Sequence, residues 1–402
     1  MDFDLSPDEL AIQSLARDFA RQKIAPVAQE YDERAEFPRA IVEAAREIEL
    51  MNLAMPVENG GGGLGTMAVV LVSEELAWGC AGIALAILLN ELVALPIVLG
   101  ASQEQKDRYL RRLAEGIGSY ALTEPDAGSD VAAINSRAER TPDGYRISGH
   151  KIFISNAPEA SFFVVFAKTD RQAGMWGISA FFVDRDLPGV KVLPALRKMG
   201  QRADPTAEVV FSDVLVPPDA LIGAEGEGMK LAMRVFERSR PMVAAFAVGV
   251  AQRALDEATA YANRREAFGH RIIDHEGVGF KLADMSMRIE AARLLTRKAA
   301  WRIDAGLPAA LDSAHAKAFA ADTAMWATTE AVQVFGGYGY SREFPVEKLM
   351  RDAKVLQIYE GTSEIQRMII VHQLREGRAL QSHSPSTRFA TRSANGGAPS
   401  GT

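Results

Sequence analysis

The sequence holds a single cysteine, Cys80, in 402 residues. No internal disulfide can form, which fits a reducing compartment and points to the cytosol. Basic residues are not in excess: 45 Lys and Arg stand against 52 Asp and Glu, a net charge of −7. A nucleic-acid-binding surface needs the opposite balance, so that class is set aside, although a local arginine cluster could still meet an anionic ligand. Histidine is scarce, with six residues, and no metal-ligand spacing is visible, so no metal is expected. Long apolar runs are missing too. The most apolar stretch, Ile83 to Leu99, is broken by Asn90, Glu91 and Pro96. A membrane-crossing helix needs roughly 20 largely apolar residues, so this stretch reads as a buried helix and no integral membrane contact is expected. The opening segment MDFDLSPDEL is acidic and lacks the marks of a secretion signal or a mitochondrial leader.

What is present is ordinary globular material, 48% apolar and 24% charged. At roughly 100–200 residues per domain, two or three domains are expected. The chain reads as helical, then β, then helical. Residues 1–119 carry two capping boxes, Ser6-Pro7-Asp8-Glu9 and Ser102-Gln103-Glu104-Gln105, with helical runs at Met67–Trp78 and Ile83–Leu95 between them. Residues 120–227 hold short β-rich runs separated by Asp143-Gly144 and Pro188-Gly189, which predicts a small antiparallel barrel or sandwich. Residues 228–380 return to long alanine-rich helices, Met229–Arg264, Gly279–Ala305 and Ala309–Phe335, the last stopped by Gly336-Gly337. Ser363 to Gln366 reads as the cap of a final helix, and the polar segment 381–402 reads as a disordered tail.

Several short motifs carry possible chemistry, each with a plainer reading. Gly60, Gly62 and Gly65 satisfy a dinucleotide-binding pattern, but no βαβ unit surrounds them, so a flexible turn between helices is preferred. The loop TEPDAGSD, from Thr123 to Asp130, is either a turn or a set of hydroxyls and N–H groups facing a polar ring edge. Phe153 and Ser155 are two apart, which on a regular strand puts an aromatic and a hydroxyl on one face. The pair could pack against a flat cofactor, or Phe153 could be core. Arg264, Arg265 and Arg271 could recognise phosphate or simply favour a helix C-terminus. Glu360, in Tyr359-Glu360-Gly361-Thr362, is either solvated or, among apolar neighbours, a base.

TEPDAGSD, FISN, AFG, QVFGG and YEGTSEIQR occur in the order and near the separations of the acyl-CoA dehydrogenases. The sequence resembles that family from Met1 to about Leu374, with RPMVAAFAVGVAQRALDEA and FPVEKLMRDAKVLQIYEGTSEIQR looking like the medium-chain members. The resemblance implies a helical N-terminal domain, a central β domain, a C-terminal four-helix bundle, and a homotetramer in which FAD is shared between subunits. It implies that Thr123 and Ser155 hydrogen-bond the flavin, with Phe153 against it. Arg265, Phe268, Gln333 and Gly337 would meet the phosphate and adenosine side, with Thr362 and Glu364 near FAD. Ser129, Glu237 and Arg240 would contact acyl-CoA, and Gly361 would flank the thioester. Three departures stand out: Phe153 replaces a common Trp, and Glu276 and Glu364 replace common Gln.

The implied reaction is α,β-dehydrogenation of an acyl-CoA to the trans-2-enoyl-CoA, as in fatty-acid β-oxidation. Glu360 removes the α-proton and flavin N5 takes the β-hydride. The Glu360 N–H and a ribityl hydroxyl support the enolate oxygen, and an electron-transfer flavoprotein accepts the electrons. The alternatives are other flavin chemistry on this fold, such as a monooxygenase or nitroalkane oxidase, and a non-enzymatic acyl-CoA-binding or assembly protein. In the family the base can also stand on a bundle helix, at a position that aligns with Ala245; placing Glu there while removing Glu360 is expected to restore part of the activity. Ala245 and Gly249 share a helix face, and their small size suggests passage for a straight medium-length acyl chain; Phe246, about 100° around the helix, either borders that passage or belongs to the core.

Overall fold

The structure is a computed structural model and describes residues 4–376; the tail expected at 381–402 lies outside the described residues. Six helices come first: α1 (Pro7–Phe19), α2 (Ala28–Arg34), α3 (Arg39–Glu47), α4 (Thr66–Gly79), α5 (Ala81–Gly100) and α6 (Gln103–Glu115). Both capping boxes form. Ser6 and Ser102 each accept the N–H of the third helical residue, whose side chain accepts the cap N–H in return.

Helix α5 is long and apolar enough to cross a membrane, yet most of it is buried inside the protein. Its two polar residues explain its place. The Asn90 amide donates to Leu113 O at 3.1 Å and Gly116 O at 3.0 Å. Glu91 accepts the N–H groups of Leu53 and Ala54. Each polar group satisfies backbone that would otherwise be buried without a partner. The glycine-rich turn at residues 60–65, which follows Leu53 and Ala54 in the chain, is not loose: a Cβ on Gly61 would fall 2.2 Å from the Met55 Cβ, so the turn is packed onto residues 53–57.

Strands follow: β1 (Gly118–Ala121), β2 (Arg137–Thr141), β3 (Gly144–Ser155), β4 (Phe162–Lys168), β5 (Ile178–Asp184), β6 (Val190–Val192), β7 (Thr206–Val216) and β8 (Leu221–Ile222). They form one eight-stranded sheet in the order β6-β7-β3-β2-β4-β5-β8, with β1 beside β4. The expected antiparallel sheet needs a correction, because β1 and β2 both pair with β4 in parallel. Strand β4 is buried on both faces, which its unbroken FFVVFAK run reflects. Phe162, Val164 and Phe166 enter the core shared with the helices, whereas Phe163, Val165 and Ala167 enter a second core inside the sheet. In that second core the rings of Phe163 on β4 and Phe211 on β7 meet edge to face at 6.1 Å. Strands with two others, β3 and β2, between them in the sheet thus touch, so the sheet folds over on itself.

The last part holds α7 (Gly228–Arg264), a two-stranded ribbon of β9 (Glu266–Ala267) and β10 (His270–Arg271), α8 (Glu276–Asp304), α9 (Ala310–Phe335), α10 (Val346–Lys354) and α11 (Ser363–Arg375). Buried alanines let these helices approach closely. Gly249 does the same where α7 crosses α4: a Cβ there would stand 2.2 Å from Glu74 O. Pro241 lies within α7 and removes an N–H that Glu237 O would accept. Ser313 Oγ on α9 donates to that carbonyl instead, at 2.8 Å.

Candidate active site

Glu360 stands in the turn before α11 with φ +52°, a left-handed conformation uncommon for a non-glycine residue. Gly361 follows at φ +90°, where glycine is unstrained. The turn is held from three helices. From α7, Arg240 Nε donates to Glu360 O at 3.3 Å. From α11, Gln366 Nε2 donates to Gly361 O at 2.9 Å and Glu360 O at 3.3 Å. From α9, Lys317 Nζ donates to Gly361 O at 2.7 Å. The Glu360 carboxylate accepts Ser239 Oγ at 2.5 Å. Helix α11 is capped by Thr362, not by Ser363 as the sequence suggested; Thr362 Oγ1 accepts Ile365 N at 3.2 Å. The Ser363 hydroxyl is engaged instead with Asp322 at 2.9 Å.

Burial pushes the Glu360 carboxyl above its ordinary value, and this outweighs the opposing pull of the Ser239 hydrogen bond and the charges of Arg240 and Lys317. A carboxyl raised in this way takes up a proton more readily than a solvated one, as a base must. Tyr120 on β1 lies close enough to feel the Glu360 charge, and its ring packs against Phe166 and Phe236.

Ser239, Lys317, Gln366 and Tyr120 were not picked out from the sequence. For Lys317 there was a signal, a lone charge on the alanine face of α9 among Ser313, Ala320, Ala321 and Ala324, all buried. The expected bundle position, Ala245, is a correction. It is fully buried in a small cluster with Val70 and Ala300, whereas Ser239 is the α7 side chain that touches Glu360. The chain passage expected beside Ala245 and Gly249 falls with it, since Gly249 packs on the α4 backbone. Of the two places open to Phe246, the structure gives the core.

The other proposed site residues divide into groups. Thr123 O accepts Ile152 N at 3.0 Å, which ties the TEPDAGSD loop to β3. A buried ion pair, Lys151 to Glu124 at 2.7 Å, secures the same loop, while Ser129 is exposed at its far end. Phe153 is 64% exposed at φ +58°, inside a register irregularity of β3, so simple strand alternation does not run through it. Ser155 Oγ donates to the buried Asp204 at 3.1 Å. Glu237 accepts Ala309 N at 3.0 Å, so its carboxylate is engaged at the start of α9.

Arg265 and Phe268 lie on the ribbon after α7, and Gln333 and Gly337 at the end of α9; all four are exposed. Tyr261 stacked on Phe335 at 4.2 Å places these two groups at the same end of the bundle. Glu276 and Glu364 stand exposed in the first turns of α8 and α11, where carboxylates suit the helix dipole without any ligand.

This donor set fits a flavin nucleotide. An exposed aromatic with hydroxyls nearby suits a ring and its polar edge, and a Cβ on Gly336 or Gly337 would meet nothing within 4 Å. A mixed fold of this kind, with a raised carboxyl on a left-handed turn and an exposed aromatic with hydroxyls for a flat ring, is what a flavin-dependent oxidoreductase that begins by proton abstraction requires.

Comparison with known proteins narrows the class. Family models match in chain order: the acyl-CoA dehydrogenase N-terminal domain at residues 6–117, the middle domain at 119–214 and the C-terminal domain at 226–375. A short-chain-specific acyl-CoA dehydrogenase of Clostridium acetobutylicum is 42% identical over 373 residues, covering 92% of this chain and 98% of its own. The solved butyryl-CoA dehydrogenase from Megasphaera elsdenii superposes with a TM-score of 0.90 at 40% identity, over 93% of this chain and all of that one, 100%. A chain from structural work on the electron transferring flavoprotein of Acidaminococcus fermentans, towards a mechanism of flavin-based electron bifurcation, gives 0.90 at 40% identity, over 93% and 99%. The chain belongs to the acyl-CoA dehydrogenase family. It is an FAD-dependent enzyme that dehydrogenates acyl-CoA thioesters.

Proposed function

We propose that Glu360 is the base that takes the α-proton of the acyl thioester, and the observation that carries this is its raised, partly buried carboxyl held on a left-handed turn by three helices. Ser239 fixes the orientation of the carboxylate by donating to one oxygen, leaving the other free for the proton. Once substrate closes the site, loss of water raises the carboxyl further. The Glu360 N–H is the protein's own donor for the developing enolate oxygen, a contribution of about 3–4 kcal/mol in comparable sites. FAD, when bound, would supply the two-electron oxidation that removes the β-hydrogen as hydride. Thr123, Ser155 and Phe153 would hold its ring, with Thr362, the cap of α11, and Glu364, in the first turn of that helix, on its side.

Straight, short acyl chains are the proposed substrates, by analogy with the named relatives, and fatty-acid β-oxidation in the cytosol is the proposed setting. The single buried cysteine supports a reducing compartment. An anaerobic screen of C4 to C16 acyl-CoAs, read as flavin bleaching, tests this; fastest turnover of branched or aromatic chains would count against it. An electron-transfer flavoprotein is the proposed acceptor, supported by the Acidaminococcus neighbour. Reduction of that acceptor should outpace oxygen uptake, and the reverse would favour an oxidase.

A homotetramer is proposed on two supports. Arg240 lies on α7 and Arg265 just past its C-terminal end, 25 positions on, which at 1.5 Å per residue is roughly 37 Å. One FAD cannot lie against Glu360 and also reach Arg265, Phe268, Gln333 and Gly337 of the same chain, so those four would serve a neighbour's cofactor. The second support is the stripe Phe280, Met287, Leu294 and Trp301 on α8, exposed at 64, 63, 43 and 55% and repeating every seventh residue. Light scattering of Met287→Glu with FAD content measured alongside tests this. A monomer that keeps full FAD would sink the shared-site reading.

A further inference from the structure

Lys317 is fully buried on α9, and its ammonium donates to Gly361 O at 2.7 Å. Among the described residues it forms no ion pair. A buried ammonium without an ion partner is costly, by several kcal/mol for the desolvation alone. The plain reading is that Lys317 only staples α9 to the turn. The hydrogen bond does not require a charge, however, because the neutral Gln366 amide already donates to the same carbonyl at 2.9 Å. What the ammonium adds, and an amide does not, is positive potential beside the Glu360 carboxylate.

We propose that Lys317 is a positioning residue for the base, holding the left-handed Glu360–Gly361 turn through the Gly361 carbonyl and biasing the Glu360 carboxyl toward its ionised, proton-accepting form. The proposal rests on the reading of Glu360 as the base. It accounts for both halves of the geometry. The turn needs an external grip because Glu360 occupies a backbone region that L-residues avoid. The carboxyl gains from a counter-charge because burial pushes it toward its protonated form. Facing Glu360 are Ser239 and Arg240 from α7, Lys317 from α9 and the Tyr120 and Tyr359 rings; facing Lys317 are Glu360, Arg240, Asp322 and Glu364. Burial lowers the Lys317 ammonium to about 8 against the pull of Glu360, so it still carries its charge at neutral pH.

The test uses FAD-loaded protein and three variants. Lys317→Met removes donor and charge, Lys317→Gln keeps a donor without charge, and Lys317→Arg keeps both. The readouts are the pH profile of single-turnover flavin bleaching by butyryl-CoA and the infrared carboxyl band of substrate-free enzyme, assigned by difference from Glu360→Gln. In both neutral variants the Glu360 titration should move up by about one pH unit, the lower end of the effect of a nearby opposite charge. Lys317→Met should in addition lose maximal rate, and Lys317→Arg should titrate like the parent. A purely structural staple would lower the rate without moving the titration. The proposal is overturned if Glu360 titrates in Lys317→Met and Lys317→Gln as it does in the parent, or if Lys317→Arg shifts as far as they do. Fast bleaching by Glu360→Gln would instead overturn the reading of Glu360 and leave the infrared comparison to judge Lys317.

Discussion

Two lysines are buried in the C-terminal helices and the fold treats them in opposite ways. Lys348 on α10 donates to Asp352 at 2.6 Å and to the Cys80 sulfur at 3.2 Å. Burial alone would lower its ammonium, but Asp352, Cys80 and Asp32 together raise it. The neighbouring Arg351 pairs with Asp32 at 2.8 Å, and Asp352 also accepts Gln201 N, so every charge in this cluster has a partner. Lys317 on α9 has a carbonyl in place of a carboxylate and is lowered to about 8. The difference teaches where to look for function. A paired buried charge fixes one helix against a loop; a buried charge left unpaired next to a raised carboxyl is retained for what it does to that carboxyl.

The largest effect expected on the functional side of this comparison comes from the carboxyl itself. Glu360→Gln keeps size and most hydrogen bonding but removes the base. Flavin bleaching by acyl-CoA should fall by about 10²–10⁴-fold, the usual contribution of a positioned base. FAD content and acyl-CoA affinity should persist. Bleaching near the parent rate would show that the base lies elsewhere and would dissolve the contrast between the two lysines.

On the structural side, Asp352→Asn leaves Lys348 with an uncompensated charge. Breaking a buried pair costs about 3–5 kcal/mol, so the thermal midpoint should drop clearly while the bleaching rate per folded, FAD-loaded site changes little. An unchanged midpoint would mean that Lys348 is not the structural charge described here.

Lys317→Met should behave in the opposite sense. The Lys317 ammonium titrates in the fold at about 8, below its ordinary 10.5. Between those values the unfolded chain binds the additional proton, so the parent gains stability as pH rises from 8 to 10.5 and carries the full burial cost below 8. The methionine variant lacks this term. Its midpoint at pH 7 should equal or exceed the parent's, and the difference should shrink toward pH 10. Thermal scans at pH 7, 8.5 and 10 decide it; a loss of stability at pH 7 comparable to Asp352→Asn would make the two lysines alike.

How much of this was legible beforehand follows the range of the interactions involved. Local signals held: the Ser6 and Ser102 boxes form, and the alanine-rich runs become α7 and α9 with ends within a residue or two. The FFVVFAK run is a strand buried on both faces. Partner choice did not follow, since nothing in the residues of β4 says that β1 and β2 will lie parallel to it. Glu360 and Arg240 were visible as parts of a motif. Ser239 was missed in favour of Ala245, six positions on, which is about 120° around the helix. The phase of a 37-residue helix with a proline inside it is set by what packs on each side, not by its own sequence. Lys317 was readable only as an anomaly, a charge on an apolar face, and its carbonyl partner comes from a loop 44 residues away.

The smallest expected effect sharpens the functional half of the comparison. Ser239 and Lys317 both favour the ionised carboxyl, one through a hydrogen bond to Glu360 Oε2 and one through charge. A net hydrogen bond of this kind is worth about 1 kcal/mol, so Ser239→Ala should slow bleaching by roughly five-fold. Since the hydroxyl stabilises the carboxylate, its loss should also move the Glu360 titration upward, in the same direction as Lys317→Gln but by less. The double variant Ser239→Ala with Lys317→Gln then separates two cases. Independent contributions give shifts that add. If Lys317 acts only by setting the turn that brings Glu360 to Ser239, removing Ser239 after Lys317 changes nothing further. The infrared titration of the four proteins distinguishes these, and a downward shift in Ser239→Ala would mean that the hydroxyl accepts from a protonated Glu360 rather than donating to its carboxylate.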